Sequence, residues 1–188
     1  MVMPARATVW TPELVRVLPD DGNRYEVVDG ELLVTPMPAP IHQRLLGELL
    51  VAIDSYVERC ALGETLPSPA DISLDERSLV QPDLFVVPRD VSPTFAEWSD
   101  LSSLLLAVEI LSPSTARADR TIKRRLYQRW PVGEYWIVDP DARLVERWRP
   151  GDERPEIVER ELTWHPAGAP EPMRLDLDAL FVAAVGPE

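Results

Sequence analysis

The stretch SLLLAVEILS, residues 103–112, decides the fold. Five apolar residues precede Glu109 and two follow it. A nearly continuous apolar run of strand length predicts a strand covered on both faces, since a sheet with one wet face alternates apolar and polar residues. Such a strand belongs at the centre of a mixed α/β domain. Glu109 is out of place in it. A carboxylate in an apolar strand is costly unless it is paired, protonated or bound to a cation. Pairing with an arginine of the next helix is the structural alternative to a functional role.

Working outward, QPDLFVVP (81–88) and EYWIVDP (134–140) read as neighbouring buried strands. Asp83 opens the first of them, where it is either a site carboxylate or a turn residue after Pro82. The spacing of Ile122, Leu126 and Trp130 predicts a helix over 115–130. Asp119, Lys123 and Tyr127 are spaced i, i+4, i+8 beside that stripe. This puts Lys123 at the border of the buried face. Asp119 reads first as a helix-dipole residue or a partner of Lys123.

Farther out, TPELVRVL (11–18) starts with Thr11 as N-cap and Pro12 at the first helical position. RYEVVDGELLVTP (24–36) is a hairpin turning at Asp29-Gly30. Residues 40–60 carry leucines and other apolar residues at helical spacing. Short strands are expected at 63–66 and in DISLD (71–75). RLVERWRP (143–150) and EIVERELTW (156–164) alternate like edge or hairpin strands, and LDLDALFVAAV (175–185) reads as a short terminal helix. Residues 1–10 look like a loose tail. The expectation is one domain over 1–188, of α/β (α+β type) class with a central sheet, an N-terminal hairpin and C-terminal extra strands.

Composition sets bounds on function. The 188 residues are 45% hydrophobic and 27% charged, with 20 prolines and eight glycines. The formal net charge is -13, which argues against a binder that grips polyanions through a broad basic face. Six of the residues between 117 and 129 are basic and only Asp119 is acidic, so a local basic patch is possible. Cys60 is the single cysteine, which excludes an intrachain disulfide and a cysteine zinc site. No apolar run is long enough to span a membrane and no signal-peptide pattern is present, so a cytoplasmic location is the default.

The motif inventory is short. There is no glycine-rich phosphate loop, no GxSxG and no HExxH. His42 and His165 have no nearby partner in sequence. What remains is Asp83 and Glu109, at the ends of adjacent strands. Two such carboxylates make a hard oxygen site suited to Mg²⁺ (or Mn²⁺). An ammonium beside them could stabilise the charge that builds on a phosphate under attack, or act as a base if its pKa is depressed. Lys123 is the only lysine among the 19 Lys and Arg residues. Where coding bias has replaced most lysines, one that persists marks a need for a compact ammonium, because arginine presents a wide planar fork. Chance survival of a surface lysine is the alternative.

PDLFVV, VEILSPST, DRTIKRRLYQRW and EYWIVDP, in that order, resemble the Uma2 family (DUF820) of the PD-(D/E)xK restriction-endonuclease-like superfamily. YEVVDGELLVTP followed by PIHQRLL is similar to the family's opening, and the resemblance covers residues 24 to 148. It implies a central mixed β-sheet flanked by helices and a metal site at the sheet's split edge. Asp83 takes the aspartate of PD and Glu109 the acidic place of (D/E)xK. The third motif position falls on Leu111, so the lysine role passes to Lys123 on the following helix. The backbone carbonyl of Ile110 is implied as a further metal ligand, and Glu26 and Glu48, with Asp119 and Tyr127, as outer residues. The expected activity is Mg²⁺-dependent endonucleolytic hydrolysis of DNA, with Arg117, Arg120 and Arg124 contacting phosphates. A homodimer is implied because cutting both strands needs two sites. Trp148 or Trp164 could serve its interface, or could simply pack within hairpins. The competing expectation is a catalytically silent module of the same fold that binds nucleic acid or a protein partner. The chain reads Pro131-Val132-Gly133 where the family usually has Gly-Val before EYW.

Overall fold

The apolar run forms β7 (Leu104–Ile110), flanked by β6 (Leu84–Pro88) on one side and β8 (Val132–Asp139) on the other. The computed structural model describes residues 9–92 and 96–187. β3 (Gly63–Pro67) adds an edge strand beside β6, while β9 (Leu144–Trp148) and β10 (Glu156–Val158) extend the sheet beyond β8. The six-stranded sheet is mixed: β7 and β8 run parallel and the other neighbours antiparallel. A parallel pair needs a long crossover. Here it is the helical segment α3 (Ala116–Ala118), a π turn (Asp119–Lys123) and α4 (Arg124–Arg129).

Both faces of this sheet are covered, which is why β7 could be apolar throughout. Leu106, Val108 and Ile110 join Leu45, Leu49 and Ile53 of α2 (Pro40–Arg59) and Phe181 of α5 (Leu177–Val185) in one core. Ala107 faces the other way, into a second core with Phe85, Tyr135, Ile137 and Leu126. Strand alternation places Glu109 on this second face, beneath the crossover helix.

A second sheet carries the N-terminal part, in the order β2 (Glu31–Thr35), β1 (Arg24–Val28), β5 (Ser78–Val80), β4 (Ile72–Asp75). Asp29 and Gly30 have φ of 50° and 88°, the left-handed pair a two-residue hairpin requires. α1 (Pro12–Arg16) is capped as expected, with Thr11 Oγ1 accepting from Leu14 N at 3.4 Å. Gly63 has a different reason to be glycine: a Cβ there would lie 1.8 Å from the Val87 carbonyl oxygen across the β3–β6 pair.

Several expectations need correction. β5 was not foreseen; its three residues are too few to show a period, and all are buried. EIVERELTW divides between β10 in the main sheet and β11 (Glu161–Trp164), which pairs with β12 (Met173–Asp176). The start of LDLDALFVAAV is therefore strand, and the helix begins where Asp176 caps Ala179 N. Most of the expected loose tail, residues 1–8, lies outside the described residues, but Trp10 donates its N–H to the Gly30 carbonyl at 3.0 Å. Trp148 and Trp164 are 6% and 1% exposed, so they pack within the fold and are not available to a symmetric interface. Among the described residues no helix is long and apolar enough to cross a membrane.

Candidate active site

Leu84 pairs with Val108, so Asp83, one residue earlier, reaches the level of Glu109 on the adjoining strand. Both carboxylates are buried, at 2% and 3% exposure. Asp83 does stand at the bend just before β6, but its side chain bonds across to β1, α2 and β7 and closes no local turn. Oδ1 accepts from both terminal nitrogens of Arg24 at 3.0 Å, while Oδ2 accepts from Ile110 N at 2.8 Å and lies 3.0 Å from His42 Nε2. Burial pushes this carboxyl up, but His42, Arg24 and the Ile110 amide outweigh it and hold Asp83 below the usual carboxylate range.

Glu109 is satisfied by the crossover helix, though not by an arginine. Its Oε1 accepts from Lys123 Nζ at 3.0 Å and from Tyr127 Oη at 3.1 Å. Lys123 Nζ also lies 2.8 Å from Glu26 Oε2 and 3.6 Å from Asp119 Oδ1. Glu26 comes from β1, and its Oε1 accepts from Gln81 N at 2.7 Å. Burial drives the Glu109 carboxyl well above the ordinary range; Lys123 opposes this, and Asp119, Asp83 and Glu26 add to it. Asp119 is raised too, chiefly by burial. Burial alone would lower Lys123, but Glu109, Glu26 and Asp119 reverse the sign and hold it above the usual lysine range. The lysine is a fixed cation. A neutral lysine acting as base is not what this environment favours.

The π turn explains why Lys123 lies deeper than helical spacing predicts. A regular helix would put the Ile122–Leu126–Trp130 stripe inward with Lys123 at its edge. The five-residue π turn changes the phase, so Asp119, Lys123 and Tyr127 are all buried and Ile122 is only half-buried. Such one-turn bulges are frequent at functional sites.

Asp83, Glu109, Ile110 and Lys123 line one cavity of about 200 Å³. Its walls are the connection from β2 into α2, the first turn of α2 with His42, and the segment 112–115. A second cavity of about 140 Å³ lies on the far side of Lys123, against Glu26 and Asp119. Four buried carboxylates thus surround two cations, Arg24 and Lys123. Asp83, Glu109 and the Ile110 carbonyl are hard oxygen donors, the kind that Mg²⁺ or Mn²⁺ takes. Among the described residues no three His, Cys, Asp or Glu side chains converge as a ready cage. Mg²⁺ does not need one, since it takes one or two carboxylates and keeps several waters.

The fold therefore gathers Asp83, Glu109, Ile110, Lys123, Glu26, Asp119 and Tyr127. It does not gather Glu48, which is exposed on the outer side of α2. Of the three arginines expected at phosphates none lines the cavity, and two are engaged within the fold. Arg120 is paired with Glu146 at 2.5 Å and Asp139 at 2.8 Å, Arg124 lies over the Trp148 ring and bonds Gln128 at 2.8 Å, and Arg117 is exposed. Two residues at the site were missed, Arg24 and His42. Neither has a partner nearby in sequence; Arg24 is 59 residues from Asp83 and His42 is 41. The one available signal was alternation: Arg24 and Glu26 are i, i+2 on β1 and so share a face.

The profile of the Uma2 family, described as "Putative restriction endonuclease", matches residues 12–178. Among solved structures the chain is similar to the crystal structure of "a putative nuclease belonging to DUF820" from Anabaena variabilis ATCC 29413. The two share 22% identity and a TM-score of 0.77, over 94% of this chain and 99% of that one. At that identity the likeness concerns the fold. No curated protein matches the chain.

Proposed function

The chain belongs to the Uma2 family, and from that footing we propose that it is a divalent-metal-dependent endonuclease acting on DNA. The observation that carries the proposal is Lys123 Nζ 3.0 Å from Glu109 Oε1, with Asp83 on the next strand and all three lining one cavity. Asp83, Glu109 and the Ile110 carbonyl would hold Mg²⁺ or Mn²⁺, which would supply Lewis-acid polarisation of the phosphoryl group. Lys123 sets a permanent positive charge where negative charge builds on the phosphoryl oxygens during attack by water. Glu26 and Asp119 hold that ammonium in place, and Tyr127 fixes the Glu109 carboxylate from the side. Arg24 and His42 fix the orientation of Asp83. Cutting both strands of a duplex takes two such sites, so a homodimer belongs to the proposal in that form.

The test is cleavage of labelled DNA in Mg²⁺ and Mn²⁺ by wild type, Asp83→Asn and Glu109→Gln. Both substitutions keep shape, so the fold should persist by circular dichroism. Loss of more than about 100-fold in both is expected, the scale of removing a group acting in the transition state. Undiminished cleavage by both variants would sink the assignment. A wild type that neither cleaves nor gains thermal stability from Mg²⁺ would favour the silent module, because a ligand of the native state must stabilise it.

A further inference from the structure

We propose that the DNA enters as an unpaired strand, one phosphodiester of a single-stranded segment passing between the 35–39 and 112–115 segments; this rests on the nuclease reading above. The acting groups lie deep. Asp83, Glu109 and Lys123 are 2–3% exposed, at the base of a space of about 200 Å³. That is below the ~300–1,000 Å³ of ordinary ligand pockets. It accommodates a phosphodiester with water, not the edge of a stacked base pair. A rigid duplex rod cannot bring its backbone to such a floor without collision at the walls.

The rim also lacks what a duplex binder needs. A duplex presents one charge per ~1.7 Å of axis and is gripped by several free Lys or Arg side chains. Among the described residues the basic groups lining the cavity besides His42 are Arg24 and Lys123, and both are already ion-paired to carboxylates. Arg120 and Arg129 of the crossover helix are spent on Asp139, Glu146, Asp29 and Asp75, and the exposed Arg117 and Arg125 do not line the cavity. The rim instead offers Pro36, an exposed Met37, Pro38 and Pro113, with the hydroxyls of Ser112 and Ser114. The flexible, polarizable Met37 thioether can pack on the face of an unstacked base.

The experiment measures fluorescence anisotropy of one labelled DNA sequence, single-stranded and annealed, with Glu109→Gln in Mg²⁺ so that binding is read without cutting. Expected is at least ten-fold tighter binding of the single strand. Its logarithmic salt slope should be shallower than about −2, since few free cations take part. Ala39→Trp, an exposed rim position, should abolish that binding with an unchanged melting temperature. Equal or tighter duplex binding, a steep slope, binding unaffected by Ala39→Trp, or no binding of either form overturns the proposal. Wild-type cleavage is followed in parallel. Tight single-strand binding without cleavage by wild type leaves the strand-selective site standing and removes the nuclease chemistry.

Discussion

Lys123 and Glu109 are opposite ends of one electrostatic problem, and their substitutions should behave unequally. Lys123→Met leaves Glu26, Glu109 and Asp119 buried without their shared cation. Stripping one partner from a buried ion pair costs about 3–5 kcal/mol, which urea denaturation will register as a lowered midpoint. Glu109→Gln removes a charge that burial already disfavours, and its amide oxygen still accepts from Lys123 and Tyr127. Its metal-free stability should stay within about 1 kcal/mol of wild type. The same carboxyl makes stability depend on pH. A folded pKa raised above the unfolded one means that stability is present below the ordinary carboxylate range and lost as pH climbs through the raised value. Metal-free protein should therefore weaken as pH climbs above the ordinary carboxylate range, a slope reduced in Glu109→Gln, where the raised Asp119 remains. Mg²⁺ should bind more tightly over the same rise, because the carboxyl must shed its proton first. Asp83 has the opposite sign: its pKa is lowered, so its contribution is present above the ordinary range and fades on acidification.

The elements divide into those whose pattern is local and those whose reason is tertiary. β7, β6, β8 and α2 were legible because burial on both faces, or on one helical stripe, is written directly into residue order. The pair Asp83 and Glu109 was legible for the same reason, as charges that interrupt such runs. β5 and β12 were not, since three or four residues reveal no period and their pairing partners lie far along the chain. Arg24 and His42 escaped because their meaning depends on where β1 and α2 come to rest against Asp83. The π turn escaped because regular spacing is the only helical pattern a sequence displays. Its importance can be measured. Thr121 is exposed within it. Deleting Thr121 should restore regular helix and rotate Asp119 and the 112–115 wall by about 100° relative to Lys123. The expected variant keeps native circular dichroism and loses more than about 100-fold of metal-dependent cleavage. At Gly63 the stake is the sheet itself. Gly63→Ala drives a methyl into the Val87 carbonyl, and a drop of at least about 1–3 kcal/mol in urea stability is expected as β3 separates from β6.

For the molecule as a whole, a formal charge of -13 means that folding gathers like charges. Monovalent salt should raise the melting temperature of wild type and Glu109→Gln alike, by screening. Millimolar Mg²⁺ should add a further rise in wild type only, which separates the cavity from general screening. The acidic surface and the recessed site fit together, because a strand drawn in one phosphate at a time asks little of the exterior field. A consequence for handling the protein lies in its single lysine, 2% exposed beneath the crossover helix. These 188 residues display no lysine amine to solvent, so amine-directed crosslinkers and dyes find no side chain to modify while the fold is closed. A lysine-specific protease has one bond to cut, after residue 123, and reaches it only when the helix lifts from the sheet. The rate of that single nick is therefore a built-in clock for opening of the site.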